Sequence, residues 1–235
     1  MLADVGRAPY DRGMALLHQA ELVPSKLEAL AAWAPSQPWF EGDPDRLEKV
    51  AAFRLDDPAG EVGVEVLLVR AGDGPVLQVP LTYRGAPLEG ADDRLVGTMQ
   101  HSVLGERWVY DGCGDPVFVA VTVSAALTGG GQADEVLQTP DGERVTRESE
   151  MVVVGSGTAG AAVPSTSVQA TRVVDGATVV DAGSCTFVLA RTLDGRSPAS
   201  LAEAAGGTHD DTTQVLSATW PGHDAPTTLA VVLVH

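Results

Sequence analysis

Between Glu61 and Val69 the chain reads EVGVEVLLV, and its alternating valines place Val62, Val64, Val66 and Leu68 on one face of a strand. AGDGP then predicts a hairpin turn, and VLQVPLTYRG a return strand with Leu77, Val79, Leu81 and Tyr83 inward. Pro80 has no amide hydrogen to donate, which predicts an edge or a bulge there. RLVGTMQHSV and ERWVYDG form a second antiparallel pair that turns near Leu104 and Gly105. Upstream of these strands the period is helical. In PSKLEALAAW, Ser25 and Glu28 have capping-box spacing, Leu27, Leu30, Ala31 and Ala34 share a face, and Pro35 ends the helix. Trp33, Trp39 and Phe40 bracket the PSQP turn and read as a packed aromatic plug, with Trp108 expected in the core beside them.

In DPVFVAVTVSAAL the valines favour a strand, whereas Asp115 and Pro116 have the signature of an N-cap followed by proline at the first helical position. Phe118, Val119, Thr122, Val123, Ala126 and Leu127 fall at helical spacing, so a helix is predicted. GGGQAD after it predicts a boundary between two halves. Beyond it, turns at TPDGE, VVDGA and WPGHDAP separate apolar runs of strand character, and SPASLAEAAGG reads as a helix capped by Ser197. Residues 1–13 are polar and unpatterned and are expected to be a disordered extension. The fold class expected is α+β, an antiparallel sheet with a packed helix over residues 14–131, followed by a β-rich segment over 132–235.

Composition narrows the function classes. At 235 residues with 44% hydrophobic positions the chain can bury a substantial core. Its 32 Asp+Glu against 15 Lys+Arg give a net charge of -17, which argues against nucleic acid and anionic membranes as partners. No run supplies the ~20 apolar residues of a membrane helix, and the N-terminus lacks an apolar signal region. Cys113 and Cys185 lie outside any CxxC or Cys/His cluster, so metal spacing is absent. A disulfide between them stays open, and the reading adopted is a cytoplasmic protein with free thiols.

The most chemically crowded stretch is HSVLGERWVYDGCGDP. His101, Arg107, Trp108, Tyr110, Asp111 and Asp115 are its candidates for ligand binding or docking. Ser102 and His101 are neighbours on a strand and point to opposite faces, which disfavours a shared proton. The bland reading is favoured: a buried histidine bonded to a carboxylate, Arg107 paired with an acid, and Asp115 capping a helix. GSGTAG offers Gly155, Gly157 and Gly160 as weak nucleotide-loop candidates. Pro164 comes too soon for a phosphate-binding helix, and no lysine stands on the strands that follow. His209, Asp210 and Asp211 in THDDTT, and His223 in PGHDAP, read as solvated turns. No catalytic residue, metal site or cofactor is assigned.

Three blocks in order, MALLHQAELVPSKLEALAAWAPSQPWF, LQVPLTYRGAPL and HSVLGERWVYDGCGDPVFVA, resemble the N-terminal cap domain of actinobacterial maltokinases and the related glucosamine kinases. They are also similar to cap-like proteins often called 1,4-alpha-glucan branching protein. The resemblance covers about residues 14–131, marks Met14 as the original start, and implies a cystatin-like fold in which a helix lies across a curved antiparallel sheet. It further implies a module above the phosphate-handling lobe, so the crowded stretch becomes an architectural corner or docking surface. TFVLARTLDGRSP is faintly similar to the kinase strand that carries the phosphate-holding lysine. Aligned on Arg191, Leu193 and Gly195, the lysine's place is taken by Val188, and no large helical lobe follows. The function implied is a stand-alone, non-catalytic accessory whose protein partner is a sugar kinase or an α-glucan or trehalose enzyme. The alternative is a small enzyme or sugar-phosphate binder using His101, Arg107 and Asp111.

Overall fold

The computed structural model describes residues 14–18, 22–138, 144–210 and 212–235. The expected extension over 1–13, the TPDGE turn and Asp211 lie outside these residues. The chain runs through β1 (Met14–His18), β2 (Leu22–Val23), α1 (Lys26–Trp33), β3 (Leu47–Leu55), β4 (Gly63–Ala71), β5 (Val76–Arg84), β6 (Leu95–His101), β7 (Gly105–Asp111) and α2 (Pro116–Thr128). It continues through β8 (Asp134–Gln138), β9 (Arg144–Arg147), β10 (Val152–Gly155), β11 (Thr166–Val174), β12 (Ala177–Gly183), β13 (Cys185–Ala190), α3 (Pro198–Ala204), β14 (Gln214–Trp220) and β15 (His223–Val234).

Most of these strands form two six-stranded antiparallel sheets, ordered β2-β6-β7-β5-β4-β3 and β10-β14-β15-β13-β12-β11. β1, β8 and β9 make a small third sheet in which β1 and β8 run parallel. The helices begin where their capping residues stand. Ser25 and Glu28 form the capping box of α1, Asp115 caps α2 with Pro116 in its first turn, and Ser197 caps α3. Gly129 ends α2 in the left-handed conformation at φ 69°.

β4 and β5 are buried on both faces. Val62, Val64, Val66 and Leu68 enter the larger core with α2 and the second sheet, whereas Leu67, Val69, Leu77, Val79 and Leu81 enter a smaller core under α1. The larger core draws on strands from both halves of the chain. The smaller one is closed by Trp39, 3% exposed, with Trp33 tilted against it at 5.8 Å between ring centroids. Trp108 departs from expectation: it is half-buried and stands outside both cores.

Pro80 lies on an interior strand, not on an edge. The Gln78 amide, which points to the same side as the Pro80 nitrogen, is taken by the carbonyl of Arg191 at 2.7 Å, and pairing with β7 begins only at Leu81. Pro80 thus stands at the handover between two neighbours, where no donor is needed. The same handover joins the sheets: Leu77 bridges to Thr192, and the Leu193 amide donates to Val76 at 3.0 Å.

A buried polar cluster ties α1 to the first sheet. Glu65 accepts from Lys26 Nζ at 2.8 Å, Arg54 Nη2 at 3.3 Å and Tyr83 Oη at 2.8 Å. Burial pushes its carboxyl up, but the charges of Arg54 and Lys26 outweigh burial and hold it at about 2. A carboxylate whose folded value lies below its unfolded one stabilises the fold above the unfolded value, about 4.3, and loses that contribution as pH falls toward about 2. We predict that Glu65→Gln removes about 3 kcal/mol of pH-dependent stability across this window. Denaturant unfolding at several pH values would show it, and parallel profiles for the two proteins would contradict it.

Candidate functional site

The two acids of the crowded stretch stand where rigid elements meet. β7 ends at Asp111, a single 3-10 turn covers Gly112–Gly114, and Asp115 opens α2. Gly112 is required here because a Cβ would press on Pro80 and on the Phe118 ring at under 3 Å. Asp111 Oδ1 accepts from the Cys113 amide at 3.2 Å, and Asp115 Oδ1 from the Val117 amide at 2.9 Å.

Each acid then meets an arginine. Arg191 Nη2 donates to both oxygens of Asp111, at 2.8 and 2.6 Å, with both side chains 1% exposed. Arg191 Nε donates to Thr178 Oγ1 at 2.8 Å, and its guanidinium lies over Trp39 at 4.7 Å from the ring centroid. Burial works against the arginine's charge, but Asp111 outweighs it and raises the Arg191 pKa. Arg84 grips Asp115 as a fork, Nε to Oδ2 at 2.6 Å and Nη2 to Oδ1 at 2.7 Å. Between the acids, Cys113 is a free buried thiol pushed up to about 12 by burial, so it remains protonated and inert at neutral pH.

The other candidates lie elsewhere. His101 faces Gly105 at the tip of the β6–β7 hairpin, six residues along β7 from Asp111, or about 20 Å. The structure therefore does not bring His101 and Asp111 to one ligand. His101 is half-exposed, not buried, and its Nδ1 accepts from the amides of Val103 and Leu104 at 3.2 and 3.1 Å, which folds the tip. Arg107 donates to the Leu104 carbonyl at 2.7 Å, where an acid was expected. Tyr110 is buried, and its hydroxyl accepts from the Leu88 amide at 2.8 Å.

The glycine loop is committed to helix capping. The amides of Gly157 and Thr158 donate to Ala126 and Leu127 at 2.9 and 3.0 Å, and Gly155 donates to Gly130 at 2.8 Å. A Cβ on Gly155 or Gly157 would collide with carbonyl oxygens at the end of α2. The loop thus lies at the negative end of a helix, which repels phosphate, and its amides are already engaged. Gly160 has open space around its Cβ position and a φ of 78°. Asp210 binds the amide and hydroxyl of Thr212 in a local turn, and His209 is exposed. Among the described residues no group of His, Cys, Asp and Glu is arranged to hold a metal.

Among the described residues, two of the surface concavities concern the site. One, about 970 Å³, runs along the outer face of α2 past Val117, Val121, Val152 and Val154, and its charged lining residues are Asp56 and Asp57. Burial, and then the neighbouring Asp57, push the Asp56 carboxyl up. The other, about 450 Å³, lies where β4, the loop after β13 and the β14–β15 hairpin meet.

Residues 33–115 match the family model of the maltokinase N-terminal cap domain. Among curated proteins, none is significantly similar to the chain. A solved structure described as glucosamine kinase in complex with glucosamine, ADP and inorganic phosphate is similar to it at 21% identity and a TM-score of 0.45, over 90% of this chain and 41% of that one. The chain therefore spans about two fifths of that kinase chain's length. Among the described residues no helix is long and apolar enough to cross a membrane.

Two stability predictions follow from the geometry around Asp111. Asp111→Asn strands the buried guanidinium, and we expect a loss of about 3–5 kcal/mol in chemical denaturation, partly recovered in the double variant Asp111→Leu, Arg191→Met. Equal losses in the single and double variants would show that the pair is not the unit. Trp39→Ala should cost about 3–5 kcal/mol and the half-exposed Trp108→Ala clearly less, so a reversed order in the same assay would contradict the core assignment.

Proposed function

We propose that this chain is a non-catalytic, cap-like binding module of the cell interior, an accessory to a sugar kinase or to another α-glucan or trehalose enzyme. The observation that carries this reading is the match of residues 33–115 to a kinase cap domain, a module that resemblance places above the phosphate-handling lobe and away from phosphoryl transfer. The helix across an antiparallel sheet suits the cystatin-like arrangement expected of such a cap. Chemistry within the chain supports the same reading. Val188, in the place of the phosphate-holding lysine, is fully buried in the larger core, and the amides of Gly155 and Gly157 are bonded to the end of α2. Phosphoryl transfer depends on charged and amide groups held around the phosphates, and these positions supply none.

Docking falls to the α2 groove. Val152 and Val154 are 58% and 51% exposed beside the helix, and the groove's charged residues, Asp56 and Asp57, are both acidic. In a protein of net charge -17 this favours a partner segment that combines apolar side chains with a lysine or arginine facing Asp56.

Incubated with ATP, magnesium and maltose, glucose or glucosamine, the purified chain should show no turnover; activity that survives rigorous purification would overturn the reading. In native lysate the protein should co-purify with a sugar kinase or α-glucan enzyme. Val154→Asp should abolish that capture with a change in stability within about 0.5 kcal/mol, as expected at an exposed position. Capture unaffected by this variant would exclude the groove as the docking surface.

A further inference from the structure

The smaller concavity carries chemistry that neither the cap resemblance nor the docking role uses. Its walls come from β4, from the loop that follows β13, and from the β14–β15 hairpin, so it exists only when the two sheets are joined. Its volume of about 450 Å³ falls within the range of small-molecule sites, roughly 300–1,000 Å³. Arg70 projects from β4 into its lining. Among the described residues the side chain of this half-buried arginine makes no hydrogen bond or ion pair, whereas Arg46, Arg54, Arg84, Arg147 and Arg191 each reach an acid. An arginine without a partner in a chain where acids outnumber bases two to one is unusual.

Arg196 supplies a second guanidinium. Its Nε donates to the Thr192 carbonyl at 3.2 Å and its Nη2 to the Asp175 carbonyl, which fixes the side chain and, among the described residues, leaves Nη1 without a hydrogen-bond partner. Both bonds go to neutral carbonyls, so the positive charge is not cancelled. The rest of the lining differs in character. Asp194 offers an exposed carboxylate, which accepts from hydroxyl groups. The exposed His223 ring stacks flat on Trp220, with centroids 4.3 Å apart and planes 10° apart, and its Nε2 is hydrogen-bonded to Thr227 Oγ1 at 2.8 Å. Val76 and Leu193 add apolar wall.

From this set we infer that the concavity binds a phosphorylated polyol. Arg70 and Arg196 hold the phosphate monoester, Asp194 accepts from hydroxyls, and the His223 ring lies against the C–H face. The guanidinium pair selects for the dianion by charge-assisted hydrogen bonds, while the carboxylate and the ring distinguish the ester from free phosphate. The inference is independent of the docking role, because the α2 groove has a different lining and loss of partner capture would leave binding here unchanged.

Calorimetric titration with glucose 6-phosphate, glucose and inorganic phosphate tests it. Glucose 6-phosphate should bind saturably and more tightly than either of the others, with an affinity that falls as salt rises. Arg70→Ala should weaken it by about tenfold or more at unchanged melting temperature, since the Arg70 side chain holds no partner among the described residues. His223→Ala should weaken the ester more than inorganic phosphate, and gives a separate reading should Arg70→Ala fail to fold. No saturable binding of glucose 6-phosphate, an affinity unaltered in both variants, or inorganic phosphate binding as tightly as the ester would overturn the proposal.

Discussion

A guanidinium and a carboxylate leave water together when Arg191 meets Asp111, and neither could be buried alone without a cost of several kcal/mol. The pair lies 80 positions apart in sequence, at the end of β13 on one side and of β7 on the other. Around it the main chain follows the same path: Arg191 accepts from Gln78, Leu193 donates to Val76, and Gln78 Nε2 reaches the Leu229 carbonyl at 3.3 Å. Trp39 covers the guanidinium from the side of α1. One buried charge pair thus connects the smaller core, the larger core and both six-stranded sheets.

This constraint also decides what the crowded stretch can do. Asp111 and Asp115 hold arginines and cap backbone turns, so neither is free to act as a base or a metal ligand. The protein's unspent chemistry lies elsewhere, in an apolar groove with acidic lining along α2 and in a concavity that contains an arginine whose side chain has no partner among the described residues. In the function proposed above both serve recognition, with the proposed protein-docking surface apart from the proposed anion site.

Local signals were legible in the sequence wherever the cause was local. Capping residues at Ser25, Asp115 and Ser197 marked the three helix starts, and alternating valines gave the inner face of β4. Longer-range facts were hidden. Leu67 and Val69 also face a core, because α1 and Trp39 cover the side that a one-sided sheet would expose to water. Trp108 and His101 looked like core residues, yet strand register carries His101 to the tip of the β6–β7 hairpin, while Trp108, mid-strand between Thr98 and Arg84, stands outside both cores. GSGTAG matched a nucleotide fingerprint, but such a fingerprint needs a helix beginning at the loop, and here a helix ends against it. Apolar flanks around Asp111 and around Arg191 in FVLAR each signalled a buried charge that must have a partner. Nothing in the spacing said that they were partners of one another.

Hydrogen exchange on the native protein tests the central claim, that the Arg191–Asp111 pair couples the two sheets. In Asp111→Asn, protection should fall together for amides of β4 and β5 and for those of β13 and β15, including the Gln78 amide that donates to Arg191. Loss of protection confined to one sheet, with the other exchanging as in the wild type, would show that the sheets stand independently and would contradict the account.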